Sequence, residues 1–182
     1  MKNRIASLLR RSALVLILAM GFAMPAQANS DDALGSANVT IASPLQITNT
    51  QGLDFGQLIP TGGGVAVATI NARNGARSAN ANMTLHGAQG DRATFTVVGE
   101  PLSTFQVLVA GPVIFLSGPG LTMTVDRLRV SANGGPQQLF ASSFVVPLSG
   151  TMELGVGGRL TASPTQARGV YSGNFTVIAV HN

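Results

Sequence analysis

The chain has 182 residues, of which 45% are hydrophobic and only 10% are charged, and it contains no cysteine. Its formal net charge of +4 comes from a basic leader made of Lys2, Arg4, Arg10 and Arg11. The arginines that follow are balanced by acidic residues, are scattered, and lack a neighbouring aromatic platform, so nothing favours nucleic-acid binding.

The leader has the pattern of an export signal. The apolar run of residues 13–24 is too short to span a bilayer, and Ala26, Gln27 and Ala28 form the small-x-small motif of a cleavage site. No cysteine follows, which excludes a lipid-anchored mature N-terminus. We expect removal of residues 1–28, a flexible polar lead-in at 29–38, and one domain over 39–182 without a membrane span. The predicted location is the periplasm, the cell surface or the extracellular space.

Glycine and proline interrupt the rest of the chain so often that it has room for strands but little room for helices. Several segments alternate apolar and polar residues with the period of two that is typical of half-buried strands. A bulge near Asp126 and Arg127 is expected to shift one of them and restart its alternation at Leu128 and Val130. The apolar positions are Ala93, Phe95 and Val97; Phe105, Val107 and Val109; Leu121, Met123 and Val125; and Met152, Leu154 and Val156.

Clusters of turn-forming residues separate these segments. Strands of this length divided by such clusters predict an all-β fold, an antiparallel immunoglobulin-like sandwich. Residues 76–86 are ambiguous between a strand and a loop with a short helical turn. The predicted turns lie at residues 49–52, 61–64, 74–75, 87–90, 118–120, 133–136, 157–158 and 163–169.

The last predicted strand carries the candidate functional residues. Tyr171, Gly173, Phe175, Val177 and Ala179 share one face, opposite Ser172, Asn174 and Thr176. These side chains are expected to close the core. The functional hypothesis is that this strand is also an edge that accepts a strand from a copy of the chain or from an envelope assembly chaperone.

The opening and closing motifs together resemble a bacterial secreted family, the domain of unknown function 4402. The opening consists of ANVTI at 37–41, PLQI at 44–47 and LDFG at 53–56, and the closing motifs are LGVGGRL at 154–160 and GVYSGNFTV at 169–177. The resemblance covers essentially the whole chain after the leader. The terminal Gly-x-Tyr-x-Gly-x-Phe-x-Val pattern is also similar to the last strands of pilus and spore-coat-type subunits. Together these resemblances imply an exported immunoglobulin-like or pilin-like sandwich without known enzymatic activity.

No motif indicates catalysis, a cofactor or a metal. The chain has two histidines, His86 and the penultimate His181, and its acids are dispersed apart from Asp31 and Asp32. No serine lies in a nucleophile elbow. The Thr-Gly-Gly-Gly loop at 61–64 precedes a β-like segment and not a helix, so we interpret it as a hairpin loop. The glycines at 155–158 receive the same interpretation.

The leading hypothesis is a non-enzymatic structural or assembly protein of the bacterial envelope, such as a fimbrial or surface-coat subunit. One observation opposes a pilin that donates its N-terminal strand, because the lead-in offers only Ala33, Leu34 and Ala37 as apolar residues. The alternative is a secreted carbohydrate-binding or adhesive module that uses its Gly-rich loops, for example residues 118–120. It ranks lower because such sites use aromatic platforms, and the chain has no tryptophan and one tyrosine.

Overall fold

Twelve β-strands and no helix are found in the part of the chain that the computed structural model describes, which is Val39, residues 44–87 and residues 90–182. All strand pairs are antiparallel, so the predicted all-β class is confirmed. The predicted leader and lead-in lie outside the described residues. The strands are β1 (Gln46–Gln51), β2 (Gln57–Pro60), β3 (Ala66–Ile70), β4 (Arg77–Ala79), β5 (Met83–His86), β6 (Ala93–Val98), β7 (Thr104–Val109), β8 (Ile114–Leu116), β9 (Met123–Ala132), β10 (Ser143–Val145), β11 (Thr151–Ala162) and β12 (Val177–His181).

The strands of the described residues form three sheets, and the long strand β11 organises the largest of them. β9 pairs along one edge of β11, while β6 and then β3 pair with successive stretches of its other edge. β1 extends this large sheet beyond β6, β4 extends it beyond β3, and β8 extends it beyond β9. A small sheet has the order β10-β7-β12, and β2 with β5 forms a two-stranded ladder.

Two apolar clusters fill the interior of this sandwich-like arrangement. The first lies between the large and the small sheet and includes Phe95, Val97, Phe105, Val107 and Leu154. The second lies between the large sheet and the ladder, and its members include Ile70, Met83, Val125 and Leu160. The alternation in β6, β7 and β11 is therefore a consequence of burying one face of each strand, as predicted.

The predicted bulge in β9 is present. The register against β11 shifts between Gly157 and Arg159, and Arg127 has a φ of 48°, which turns Leu128 back into the core. The start of this strand was predicted too early. β9 begins at Met123, and Leu121 is 64% exposed because it belongs to the preceding loop, where its carbonyl accepts a hydrogen bond from Gln166.

The predicted turn at residues 157–158 is wrong, since both glycines lie inside β11. A Cβ added to Gly157 would come within 2.2 Å of the Ile70 carbonyl oxygen and 2.6 Å of the Ala72 nitrogen. A Cβ on Gly155 would meet the Ala72 oxygen at 2.3 Å. The chain leaving β3 crosses the face of β11 here, so the glycines permit the close approach of two backbones.

The interpretation of residues 61–64 as a hairpin loop is also wrong. The loop joins β2 of the ladder to β3 of the large sheet, and these two strands do not pair. The Asn82 side chain lies against Gly63 and Gly64 and donates a hydrogen bond of 3.2 Å to the Val65 carbonyl. The ambiguous segment 76–86 forms β4 and β5, and His86 is the last residue of β5.

Candidate functional site

The terminal strand is shorter than predicted. β12 begins at Val177, and the segment 171–176 contributes only an isolated bridge between Ser172 and Ser117. The physical reason is a change of partner: Ser117 follows β8 of the large sheet, whereas Thr176 already accepts a hydrogen bond from Ala110 beside β7 of the small sheet. A segment that passes from one sheet to the other cannot form a continuous ladder with either.

The structure brings three of the five predicted residues together on one inward face. Val177 is buried in the first cluster, and Phe175 and Ala179 pack against the same cluster. The ring of Phe175 stands edge-on to Phe95, with a centroid separation of 6.1 Å and an interplanar angle of 77°. This geometry is favourable for aromatic pairs, so these side chains close the core as expected.

Tyr171 and Gly173 are placed differently. The Tyr171 hydroxyl donates a hydrogen bond of 3.0 Å to the Ala167 carbonyl. Its ring packs so closely on the loop at residues 118–120 that a Cβ on Gly118 would meet it at 2.5 Å. Gly173 is exposed, and a Cβ there would approach the Phe115 carbonyl oxygen to 2.2 Å. Packing thus accounts for the glycines at 118 and 173.

β12 is an edge strand of the small sheet. It pairs with β7 on one side, and no strand of the described residues pairs with its other side. The bonds from Ala110 to Thr176 and from Asn182 to Thr104 fix the alternation of the ladder. The backbone N–H and C=O groups of Val177, Ala179 and His181 consequently point away from β7, toward a partner strand.

Sequence reasoning missed the outward face of β12. Ile178 and Val180 are 41% and 44% exposed, and Ile178 lies directly opposite Leu108 of β7. A signal was available, because Val177, Ile178, Ala179 and Val180 are four consecutive apolar residues, a pattern typical of strands covered on both faces. We call Ile178, Val180 and Leu108 the outer patch.

The small sheet lacks the usual protection of an edge. β7, β10 and β12 contain no Lys, Arg, Asp or Glu, and β12 contains neither proline nor a bulge. Natural proteins commonly use such features to prevent pairing between sheet edges. β12 therefore combines backbone groups that point away from β7, an apolar outer patch, and a sequence without Lys, Arg, Asp or Glu.

A cavity of about 820 Å³ lies next to the segment that precedes β12. Its innermost walls are buried side chains of the large sheet, including Phe95, Ile114, Val125 and Leu160. Residues 52–59 and 169–175 form its remaining sides. The exposed polar members of the lining, which lie where the cavity opens to solvent, are Asn49, Asp54, Gln57, His86, Ser172 and Asn174.

One well-formed ion pair lies beside the bulge of β9. Arg159 donates from Nε and Nη2 to Oδ1 and Oδ2 of Asp126, at 2.8 and 2.6 Å. The hydrogen bonds from Arg159 hold the pKa of the Asp126 carboxyl below its ordinary value although partial burial opposes this, and the same bonds raise the pKa of Arg159. The pair ties β9 to β11 and has a structural role.

The described residues contain no group of three or more His, Cys, Asp or Glu side chains arranged to hold a metal ion. Within the same part of the chain, no helix is long and apolar enough to cross a membrane. The candidate site is thus defined by the free edge of β12 and by the neighbouring cavity.

Comparison with known proteins assigns the chain to a family. No curated protein matches it, and no solved structure matches it. The family model described as "Domain of unknown function (DUF4402)" matches residues 45–181, which include all the described strands. Because this match spans most of the sequence, the chain belongs to the DUF4402 family.

Proposed function

We propose that this protein is an exported, non-enzymatic structural or assembly protein of the bacterial envelope, which associates with copies of itself through β12. The observation that carries the proposal is the unprotected free edge of this strand. Strand addition supplies main-chain hydrogen bonds for affinity, and side chains such as Ile178 and Val180 supply contact area. The pilin-like character of the terminal pattern belongs to this proposal.

Composition supports the same proposal. Only 10% of the residues are charged, against about 25% in typical soluble domains, so little charge is available to keep copies of the chain apart. Export fits the leader, whose basic residues, apolar run and Ala-Gln-Ala motif would direct the chain across the inner membrane. A fimbrial or surface-coat subunit is the form of envelope protein that needs both export and self-association.

The test measures the association of the chain purified after export. Sedimentation velocity at rising concentration should show oligomers, and negative-stain microscopy should show them as fibres or sheets. Ala179→Pro removes an N–H that points away from β7, so it blocks the edge without removing a bond of the β7–β12 ladder. Ile178→Lys places a charge on the outer patch. Both variants should remain monomeric.

The matched control is Val98→Lys, which introduces the same charge at a valine that is 45% exposed and lies on β6. It should associate like the unmodified chain. Circular dichroism verifies that each variant is folded. A wild-type chain that remains monomeric at the highest concentration, or edge variants that associate as strongly as the control, would contradict the proposal. N-terminal sequencing of the exported chain tests cleavage before Asn29.

A further inference from the structure

The cavity beside the terminal segment has the size and the wall chemistry of a small-molecule site. Its volume of about 820 Å³ falls within the range of roughly 300–1,000 Å³ that ligand pockets occupy. The buried side chains Phe55, Phe95, Ile114, Val125 and Leu160 supply apolar walls from separate strands and loops. These walls lie between sheets, and the cavity is partly open to solvent, so a molecule held there would bury its apolar part against the walls and keep another part near water.

Apart from the half-buried Tyr171, whose hydroxyl donates to the Ala167 carbonyl, the polar side chains of the lining belong to exposed residues. Asn49, Gln57 and Asn174 offer amide groups, and His86 offers an imidazole, all on exposed residues. A ligand that matches this distribution has a long apolar body and one end that forms hydrogen bonds. Sugars and other highly hydroxylated molecules do not fit, because their polar groups would be buried against apolar walls without partners.

The charged residues around the cavity restrict the range of possible ligands further. No Arg or Lys is among the described residues that line the cavity, and Asp54 is the acid on its exposed part. The Asp54 carboxylate already accepts a hydrogen bond of 2.7 Å from the Gly56 N–H, which fixes its position. Arg77 lies behind the lining, where its guanidinium donates to the carbonyls of Phe55 and Gln57. An anionic head group would therefore meet the Asp54 carboxylate directly, whereas this cation is outside the cavity and already engaged with the backbone.

We propose that the cavity binds a neutral, elongated apolar molecule with one hydrogen-bonding end, such as a long-chain alcohol or the neutral end of a lipid. Apolar burial supplies the affinity, and the amide and imidazole groups at the opening orient the polar end. The site lies on the segment before β12 and does not depend on self-association. Binding is accordingly expected in both monomeric and associated chain.

The experiment uses the neutral fluorescent probe N-phenyl-1-naphthylamine with the exported chain. Its fluorescence should rise saturably, and 1-decanol should displace it whereas decanoate should not. Leu116→Trp enlarges a half-buried side chain in the lining and should weaken probe binding roughly tenfold or more. Leu148→Trp, at an exposed leucine outside the cavity, is the matched control and should bind like the unmodified chain. Asp54→Asn should allow decanoate to compete.

The following outcomes would overturn the proposal. Absence of saturable binding, or equal binding by folded Leu116→Trp, excludes the cavity as the site. Equal displacement by decanoate and decanol contradicts the selection for neutral ligands. Probe binding by Ala179→Pro alone, with none by the associated wild-type chain, would identify a strand of a second copy as the occupant. Competition by short- and long-chain alcohols then tests the length of the ligand, because only a long chain fills the cavity. Equal displacement of the probe by both would contradict an elongated ligand.

Discussion

The half of the sandwich beneath the small sheet and the half beneath the two-stranded ladder share one strand, β11, but are closed to different degrees. In the first half, β7, β10 and β12 cover the large sheet, and the inward side chains Phe105, Val107 and Phe144 of this cover are buried in the first cluster. In the second half, β2 and β5 have four residues each and cover less of the sheet. The cavity lies in this second half.

This difference in closure suggests different roles for the two halves, stability for the close-packed half and ligand binding for the partly covered half. A close-packed region leaves no room for a ligand, whereas a partly covered region keeps apolar walls accessible at a cost in packing. The proposed assembly edge, β12, belongs to the well-packed half, where an added strand would meet a fixed template. The cavity lies where the cover consists of the loop segments 52–56 and 169–175 and the short strand β2. Matched substitutions in the two halves test whether they differ in packing as described.

The largest expected effect comes from a matched pair of truncations on β11. Leu154 and Leu160 point inward from the same face of the strand and are 0% and 2% exposed. Leu154→Ala should lower the free energy of unfolding by about 3–5 kcal/mol, because it leaves a void in a close-packed cluster. Leu160→Ala should cost about 2–3 kcal/mol, since one side of Leu160 already borders the cavity.

Urea unfolding of both variants, followed by circular dichroism, provides the measurement. The two substitutions remove the same atoms from the same strand, so each serves as the control of the other. An equal loss at both positions, or a greater loss for Leu160→Ala, would show that the ladder half is packed as well as the other half.

Sequence alternation predicted much of the well-packed half. β6, β7 and the first part of β11 were located because their inward residues are apolar and their outward residues are not. The bulge at Asp126 and Arg127 was found for the same reason, since the pattern shifts by one residue there. Periodicity reports burial of one face, and it succeeds where a second sheet covers that face.

The features of the fold that alternation did not predict depend on contacts between residues that are distant in sequence. A glycine indicates a turn or a close approach of another chain segment, and only the position of Ile70 and Ala72 shows that Gly157 is the second case. The alternation at 171–175 does not mark a continuous strand, because the backbone changes sheets there and, of Tyr171, Gly173 and Phe175, the first cluster includes Phe175 alone. The cavity has no local signal, since its walls come from many separate segments.

A second prediction concerns the junction between the two halves. Gly157→Ala should lower the free energy of unfolding by about 1–3 kcal/mol, because the added Cβ would overlap the backbone of the crossing segment, which cannot move like a side chain. Gly52→Ala is the matched control, as nothing lies within 4 Å of its added Cβ. It should be close to neutral in the same urea experiment. Tolerance of Gly157→Ala would show that the crossing segment is free to shift away from β11.

The smallest effect is expected from Asp126→Asn, which removes the ion pair between β9 and β11 in the ladder half. The pKa of Asp126 is lower in the folded chain than in the unfolded chain. The carboxylate therefore stabilises the fold at pH values above its unfolded-state pKa of about 3.9, and this contribution is lost as the pH falls through the folded-state pKa. The variant should be less stable than the unmodified chain at neutral pH, and the difference should shrink below about pH 4.

Urea unfolding at neutral and at acidic pH measures this difference directly. Glu100→Gln is the control, because Glu100 is exposed and forms no ion pair within the described residues. Its stability relative to the unmodified chain should change less with pH than that of Asp126→Asn. If the Asp126→Asn difference stays constant from neutral to acidic pH, the pair does not tie β9 to β11 through charge. In that case the ladder half depends on its apolar walls alone, and filling the cavity should stabilise it more than any change of ion pairs.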